Sequence, residues 1–413
     1  MLAFFLPKPI REIYFNYKDL FEECAIPYCY ACSFLLMHCL GITTFCELVR
    51  TLPWSGSVSS LCKYAGQFNS NRFMRRNSKR VLDKISHSGH GEFAFVIDDT
   101  ANPKYGNYFS CFNFGSSSGK YFGQKILVLA IVDLRSHKCY PLQYAFLSGK
   151  KDESHVPAPQ VAINLLHEVL EFGYPPFPVV TDSWFDSKEF IQAVYDLGCD
   201  YAGELKSNRN AKSNPGPYNP IQKLKQWFKG NERMRLPQSK YQKRKEKRGK
   251  AYSENILYIN GLGLPLKVIA VYRRINGSSP FAYYATTDLS MTGAQLWRMS
   301  RARWSIEVMF RDLKQSLSFG RLTAGGEGGA HLSVCLPFIL YSSIQTDPVK
   351  VWEKKNIKES VGTTIKKLRE QSLSKTLDHI INQPNGEKIK ILKARRSNPN
   401  RKPVNFCGKG KTA

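Results

Sequence analysis

Runs of apolar residues that end in acids or polar turns predict the sheet of this chain. The residues FAFVI at 93–97 form a short apolar run followed by two aspartates, as a buried strand does where it leaves a sheet. Two further apolar segments, 125–133 and 139–147, are joined by a short polar turn and predict a strand pair. The segment 100–124 is rich in glycine, serine and asparagine and predicts a loop.

Downstream of these strands, helical and strand patterns alternate. Helices are predicted at 158–172 and 187–197, where the apolar residues have helical spacing. The short apolar segments 176–182 and 200–205 predict strands, and the first of them also ends in an aspartate. Three strands followed by helix–strand alternation indicate an α/β fold with a mixed sheet.

Other segments extend this core. Residues 1–88 are predicted to be mostly helical, with a helix pair at Thr43–Arg50 and Ser57–Tyr64 that resembles a helix-turn-helix. Alternating apolar segments between 254 and 287 predict a β-rich insertion. A helix is predicted from about Thr292 through Leu317. The sequence thus divides into a helical domain, the first part of a core, a basic β-rich insertion, the second part of the core and a basic tail, at 1–88, 89–205, 206–290, 291–347 and 348–413.

Positive charge is concentrated outside the core. The formal net charge is +27. The segment 206–250 holds 15 lysines and arginines against two acids, and the tail 348–413 holds 17 against five. The segments 89–205 and 251–347 together hold 17 against 20. This segregation favours a polyanion partner over a generic basic surface, with nucleic acid as the first candidate and an anionic membrane surface as the second.

The cell compartment is predicted from what the sequence lacks. No apolar run reaches the roughly 20 residues that span a bilayer, and no basic region precedes the short apolar stretch at the N-terminus. We therefore expect a cytoplasmic protein that does not contact membranes. The 11 cysteines are scattered, which indicates reduced thiols. The lone Cys29-x-x-Cys32 pair leaves a zinc site open as a minor alternative.

Three acids belong to separate predicted elements. Asp98 follows the first apolar run, Asp182 follows the strand at 176–182, and Glu307 lies on the helix after the insertion. Carboxylates at strand ends are held rigidly and open to solvent. Converging carboxylates repel each other unless cations lie between them, and oxygen ligands suit Mg²⁺ or Mn²⁺. Two such ions about 3.5–4 Å apart can clamp the attacking and leaving oxygens of a phosphoryl displacement.

The helix around Glu307 combines a charged stripe with a core stripe. At about 100° per residue, Arg303, Arg311 and Lys314 lie on the same side of the helix as Glu307. A metal-binding acid beside phosphate-binding cations would have this pattern, and an ordinary Arg303–Glu307 ion pair on a solvated face is the alternative. Trp304 is interpreted as a core or helix-packing aromatic. The helical wheel assigns these residues to the core: Ala302, Ile306, Met309, Leu313 and Leu317.

Here the motifs resemble a known family. Arg303-x3-Glu307-x6-Lys314 resembles the Tyr-x2-Arg-x3-Glu-x6-Lys signature of bacterial insertion-sequence transposases of the DDE class, in the insertion sequence four superfamily. VIDDT at 96–100 is similar to the first-acid strand of that family, and VVTDSWFDSKEF at 179–190 is similar to the second. The order of the parts also matches: a helical N-terminal region, two acids, a β-rich insertion and a third acid.

The resemblance covers roughly residues 90–320 and implies a ribonuclease-H-like catalytic core preceded by a helical DNA-binding domain. It implies that Asp98, Asp182 and Glu307 are catalytic metal ligands for Mg²⁺ or Mn²⁺, with two ions in the site. Neighbouring strand residues point to opposite faces, so only one of Asp98 and Asp99 can join the metals directly. We choose Asp98, which directly follows the apolar run, and Asp99 stays the alternative.

The same resemblance implies DNA contacts for two residues, and this chain departs from the family signature at one position. Arg303 and Lys314 would contact DNA phosphates near the cleaved end, and Arg311 lies beside them on the charged stripe. The tyrosine of the signature should fall at position 300, where this chain has Ser300. The contact that the family assigns to this tyrosine, and with it full activity, is therefore open.

The function that the resemblance implies is DNA transposition. The protein would cut the ends of an insertion sequence by metal-dependent hydrolysis and join them to target DNA by transesterification. Its partners would be double-stranded DNA, as terminal inverted repeats and as target, and a second copy of the chain. DNA binding would associate it with the nucleoid. A catalytically inactive, transposase-derived DNA-binding protein and a metal-dependent nuclease without strand transfer are the alternatives.

Overall fold

The computed structural model describes most of the chain and divides into two compact units. The described residues are 7–52, 55–87, 92–104, 106, 108–116, 119–213, 224–237, 249–346 and 360–381. The helical unit lies within residues 1–69, 315–337 and 356–413, and the sheet unit lies within 70–314 and 338–355. Much of the basic tail and parts of the segment 206–250 are outside the described residues. The five-part domain division stays a prediction.

Helices occupy both ends of the described chain and the connections between strands. Their bounds are Lys8–Asn16 (α1), Lys18–Glu23 (α2), Tyr28–Leu40 (α3), Phe45–Thr51 (α4), Val58–Gly66 (α5), Ser70–His87 (α6), Ala158–Leu170 (α7), Lys188–Asp196 (α8), Gly293–Ala302 (α9), Trp304–Ser316 (α10), Gly326–Thr346 (α11) and Val361–Ile381 (α12).

Side-chain caps set the beginnings of α4 and α5 in the helical unit. The Thr44 hydroxyl accepts a hydrogen bond from the backbone N–H of Glu47, and the Ser57 hydroxyl accepts one from Ser60. The predicted helix pair in this region is confirmed. Among the described residues, no single helix has the length and apolar composition to cross a membrane; α3 and α4 meet that test only as a pair, bent by 97°.

The strands of the sheet unit form one sheet. Their bounds are Phe93–Pro103 (β1), Phe112–Ser116 (β2), Gly119–Asp133 (β3), Cys139–Phe146 (β4), Val179–Thr181 (β5), Tyr201–Leu205 (β6), Ala211–Lys212 (β7), Met234–Arg235 (β8), Ala251–Ile259 (β9), Pro265–Tyr272 (β10) and Ala282–Thr286 (β11). The order is β2-β3-β1-β5-β6-β11-β10-β9-β7, with β4 also paired to β3 and β8 to β9.

Strand directions confirm the predicted mixed sheet. β1 pairs antiparallel with β3 and parallel with β5, and β5 pairs parallel with β6. The insertion strands continue this sheet, because β11 pairs antiparallel with β6. Residues 126–132 of β3 are all fully buried. A strand that is apolar at every position in this way has both faces covered.

Two predictions about local structure are wrong. The segment 100–124 is largely a sheet extension: β1 continues to Pro103, β2 lies within the segment, and β3 begins at Gly119. Its polar residues and glycines are typical of a loop. At Gly123 (φ +157°), however, glycine is required by the sheet, because a side chain there would collide with the Asn102 carbonyl oxygen of the paired strand.

The predicted single helix at 292–317 is two helices, α9 and α10, which are separated at Arg303.

Candidate active site

Three neighbouring parallel strands bring acids together: Asp98 lies inside β1 rather than at the predicted strand end, Asp182 directly follows β5, and Glu204 lies near the end of β6. Val96 of β1 pairs with Val180 of β5, so continuing the register by two residues sets Asp98 beside Asp182. Thr181 pairs with Gly203 of β6, and the next step sets Glu204 beside Asp182. A row of carboxylates therefore crosses this edge of the sheet.

Arg303 links the first of these acids to the third sequence-predicted acid. Its guanidinium lies 2.7 Å from Asp98 Oδ2 through Nη1 and 2.8 Å from Glu307 Oε1 through Nη2. Burial opposes the charged form of Arg303, but the charges of Asp98, Glu307 and Asp182 outweigh it and raise the pKa of Arg303. The structure thus joins Asp98 and Glu307 through one cation, and Asp182 is near enough for its charge to act on that cation. The i,i+4 ion pair of the alternative interpretation is present, but it includes Asp98 as a third member.

Asp98 is a largely buried carboxyl with two other aspartates near it. Burial raises the pKa of Asp98 to about 7, and the charges of Asp182 and Asp99 act in the same direction. Arg303 lowers this pKa but does not cancel the increase. The positive charge of Arg303 is therefore not enough to offset the burial of Asp98, and an additional cation would favour its charged form.

Asp99 has a different partner from Asp98. Its carboxylate lies 3.1 Å from Lys125 Nζ, and the Lys125 ammonium lies over the Trp184 ring, 3.9 Å from the ring centroid. Asp98 therefore shares Arg303 with Glu307, whereas Asp99 is paired with Lys125.

The other sequence-predicted residues lie on α9 and α10. Lys314 Nζ donates a hydrogen bond of 2.8 Å to the Ala101 carbonyl oxygen of β1. Arg311 is exposed and lies 3.8 Å from Asp312. Ser300, at the position of the signature tyrosine, lies on α9, and its buried hydroxyl has no hydrogen-bond partner among the described residues. Trp304 is 59% exposed, so its interpretation as a core residue is wrong.

Glu204 is a fourth acid that the sequence analysis did not single out. Burial raises the pKa of Glu204, Arg303 lowers it, and Asp182 raises it further. Its only signal in the sequence is its position near the end of a predicted strand, and the pairing of that strand with β5 could not be read from the sequence. Glu204 belongs to the same electrostatic cluster as the predicted acids.

A buried ion cluster fixes the segment that follows Asp182. The Asp186 side chain is 1% exposed and accepts hydrogen bonds from Arg209 Nε (3.1 Å), Lys206 Nζ (3.1 Å) and the Lys206 backbone N–H (2.9 Å). Burial acts to raise the pKa of Asp186, but the hydrogen bonds from Arg209 and Lys206 outweigh it and the pKa is lowered. The Asp182 side chain itself accepts a hydrogen bond from the Trp184 backbone N–H.

Asp186→Ala is expected to lower the free energy of unfolding by about 3 kcal/mol, because it leaves Arg209 and Lys206 without their buried acceptor. Both cations are partly exposed and can return to water, which keeps the loss at the lower end of the range for buried ion pairs. Since the folded pKa is lowered, this stabilisation is present at neutral pH and disappears as the pH falls below about 4. Urea unfolding of wild type and variant at pH 7 and at acidic pH measures it.

The matched control is Asp196→Ala, which removes an exposed aspartate from the end of α8. It is expected to change stability by less than about 0.5 kcal/mol. Equal losses for the two variants would show that Asp186 does not fix this segment.

The donor set fits a hard divalent cation. Asp98, Asp182, Glu307 and Glu204 all offer carboxylate oxygens, the ligands preferred by Mg²⁺ and Mn²⁺. Among the described residues, no three acids, histidines or cysteines lie close enough together to hold a metal ion as they stand. The Arg303 guanidinium, bonded to two of the carboxylates, is the cation of the site in this arrangement.

Comparison with known proteins finds a matching family and solved structures of low sequence identity. The family described as transposase DDE domain matches residues 81–342, more than half of the chain. A piggyBac transposase synaptic complex with hairpin DNA aligns over 77% of this chain and 59% of that chain, with 13% identity and a TM-score of 0.43. The C-terminal lobe of a budding yeast Argonaute aligns over 80% and 64%, with 13% identity and a TM-score of 0.23. This chain therefore spans less than two thirds of either structure. No curated protein matches it.

Proposed function

Since this chain belongs to the transposase DDE-domain family, we propose that it cuts the ends of an insertion sequence and joins them to target DNA. Asp98, Asp182 and Glu307 are the catalytic acids of this proposal. They would hold one or two Mg²⁺ or Mn²⁺ ions, which, when bound, activate the attacking oxygen and stabilise the leaving oxygen. Glu204 is close enough to Asp182 to support the same site.

One observation carries this proposal: the Arg303 guanidinium bonds to Asp98 and Glu307 and lies in the field of Asp182. An acid from a strand and an acid from a helix therefore meet at a single cation, with Asp182 near it, although all three are far apart in the sequence. Desolvation keeps the pKa of Asp98 near 7 even with Arg303 beside it. Further positive charge would therefore be stabilised at this point.

The reaction consists of two phosphoryl displacements. A water oxygen bonds to the phosphorus at the end of the element, the bond from that phosphorus to the 3′ oxygen breaks, and a 3′ hydroxyl is released. This hydroxyl then attacks a phosphodiester of the target, forming one P–O bond as another breaks. Arg303 would leave the carboxylates when the metals bind and contact phosphate instead, and Lys314 and Arg311 would hold the strand beside it.

DNA binding would be distributed over the whole chain. The helical region 1–88 would recognise the terminal inverted repeats, and the basic segments 206–250 and 348–413 would supply affinity for phosphates independently of base sequence. Cutting two ends together requires at least two copies of the chain in the active complex. Binding to chromosomal DNA would associate the protein with the nucleoid.

A cleavage assay tests the proposal. The full chain is incubated with duplexes that carry the ends of the element, in Mg²⁺, in Mn²⁺ or in EDTA. We expect strands with new 3′ hydroxyls and joined products with either metal and none in EDTA. DNA binding without nicking would instead identify a non-catalytic DNA-binding protein, and nicking without joined products would identify a nuclease.

A further inference from the structure

A groove in the sheet unit has a volume of about 900 Å³ and is lined by both aromatic and basic side chains. Most of it lies between β2, the beginning of β3 and the segment that leads into α7. This volume is at the upper end of the range for single-ligand pockets, about 300–1,000 Å³. The side chains that give it its chemistry are Phe112, Phe122, Trp184, Lys125, Lys150 and Lys151.

One end of the groove adjoins the acid cluster. Lys125 lines the groove and lies 3.1 Å from Asp99, the residue next to Asp98. Trp184 also lines it, and its backbone N–H donates a hydrogen bond of 2.9 Å to Asp182. A strand bound at the acids could therefore continue directly into the groove.

Two of the aromatic side chains that line the groove are exposed. Trp184 is 44% exposed and Phe122 is 38% exposed. Exposed aromatic faces bind nucleobases by stacking, largely regardless of base identity. In a duplex the faces of the bases are covered by their neighbours, so such rings select unpaired nucleotides.

The charge of the groove complements a phosphate backbone. Lys125, Lys150 and Lys151 line it, and no aspartate or glutamate is among its described lining residues. Aromatic rings interleaved with lysines are the pattern of surfaces that bind single-stranded nucleic acid. An apolar peptide or a small apolar ligand would not use three lysines.

We propose that this groove binds a stretch of unpaired DNA that continues from the cleaved phosphodiester. The inference rests on the proposed function, because it takes the acids at the end of the groove as the cleavage site. It adds a requirement to that function: the DNA strands separate next to the cut. Bases stack on Phe122 and on the part of Trp184 that Lys125 leaves exposed, and Lys150 and Lys151 hold the phosphates between them.

Binding of short oligonucleotides tests this groove without cleavage. The full chain in EDTA is titrated with a fluorescent thymidine oligonucleotide about six nucleotides long and with an abasic oligonucleotide of the same length. Both carry the same phosphates, but only one carries bases. A salt concentration of about 200 mM suppresses contacts that depend on phosphate charge alone. We expect the thymidine oligonucleotide to bind at least about tenfold more tightly.

Two variants act on the groove by different means. The double variant Trp184→Ala, Phe122→Ala removes the stacking surface and is expected to reduce the base preference to about twofold or less. Gly115→Glu leaves the aromatics intact and adds an acid: a side chain at Gly115 meets no atom within 4 Å and enters open space in the groove. It is expected to weaken binding of the thymidine oligonucleotide by about tenfold. Thermal melting checks that both variants fold.

The matched control is Tyr195→Ala, because Tyr195 is 50% exposed but is not among the residues that line the groove. It is expected to keep the wild-type base preference. Equal binding of the two oligonucleotides by wild type, a base preference that survives in the double variant, or unchanged binding by Gly115→Glu would overturn the inference. Because divalent ions are absent, these outcomes are independent of the cleavage assay, in which the proposed function can fail while the groove still binds bases.

Discussion

Glu307→Gln is expected to reduce strand cleavage at least about a thousandfold, equivalent to about 4 kcal/mol of transition-state stabilisation. Glutamine has nearly the same size as glutamate but lacks the charge that a divalent cation requires, and it loses the ionic contact with Arg303. Binding of duplex DNA should stay within about twofold of wild type, because the variant removes one negative charge and no cation. Single-turnover cleavage in Mg²⁺ and a binding titration in EDTA measure the two effects separately.

Glu189→Gln is the matched control for this variant. Glu189, like Glu307, lies in the first turn of a helix, and its side chain is 71% exposed. The control therefore removes the same charge near a helix N-terminus without touching the acid cluster, and cleavage should be unchanged. Cleavage by Glu307→Gln at the wild-type rate would remove Glu307 from the catalytic site.

The predicted DDE transposase family and the predicted mixed α/β sheet are confirmed. Both could be predicted because they depend on features that are local in the sequence. FAFVIDD and PVVTD each combine an apolar run with an acid directly after it, which is visible without knowing which strands pair or that β1 continues to Pro103. The helical spacing around Glu307 identified the core stripe correctly: Ala302, Ile306, Met309, Leu313 and Leu317 are all fully buried.

Features that depend on pairing or on a single backbone change were missed. Glu204 joins the acids only because β5 and β6 are parallel neighbours in one register. Arg303 interrupts the predicted helix, and Trp304, interpreted as a core or helix-packing aromatic from its residue type, is exposed. Lys125 and Trp184 are almost 60 positions apart in the sequence, and only the folded sheet brings them into contact. Short-range periodicity contains no information on any of these contacts.

The excess of positive charge in this chain predicts that its affinity for nonspecific duplex DNA falls steeply as the salt concentration rises. We expect the affinity to fall about 10³-fold or more between 50 and 200 mM salt, because each lysine or arginine that contacts a phosphate releases a counterion. The charges that support this expectation are concentrated in 206–250 and 348–413, which hold 15 and 17 lysines and arginines. Anisotropy titrations at four or five salt concentrations give the slope.

A variant with fewer charges in the segment 206–250 tests which residues cause the salt dependence of DNA affinity. Replacing Lys243, Arg244, Lys245, Lys247 and Arg248 with glutamine removes five positive charges from a stretch with one acid, and the slope should decrease by about four if these side chains contact phosphates. Lys188→Gln is the control, because Lys188 already lies 3.8 Å from Glu189 and contributes little free charge. An affinity that hardly changes with salt in wild type would contradict a phosphate-binding role for these segments. A slope that the five substitutions leave unchanged would assign the phosphate contacts to other parts of the chain.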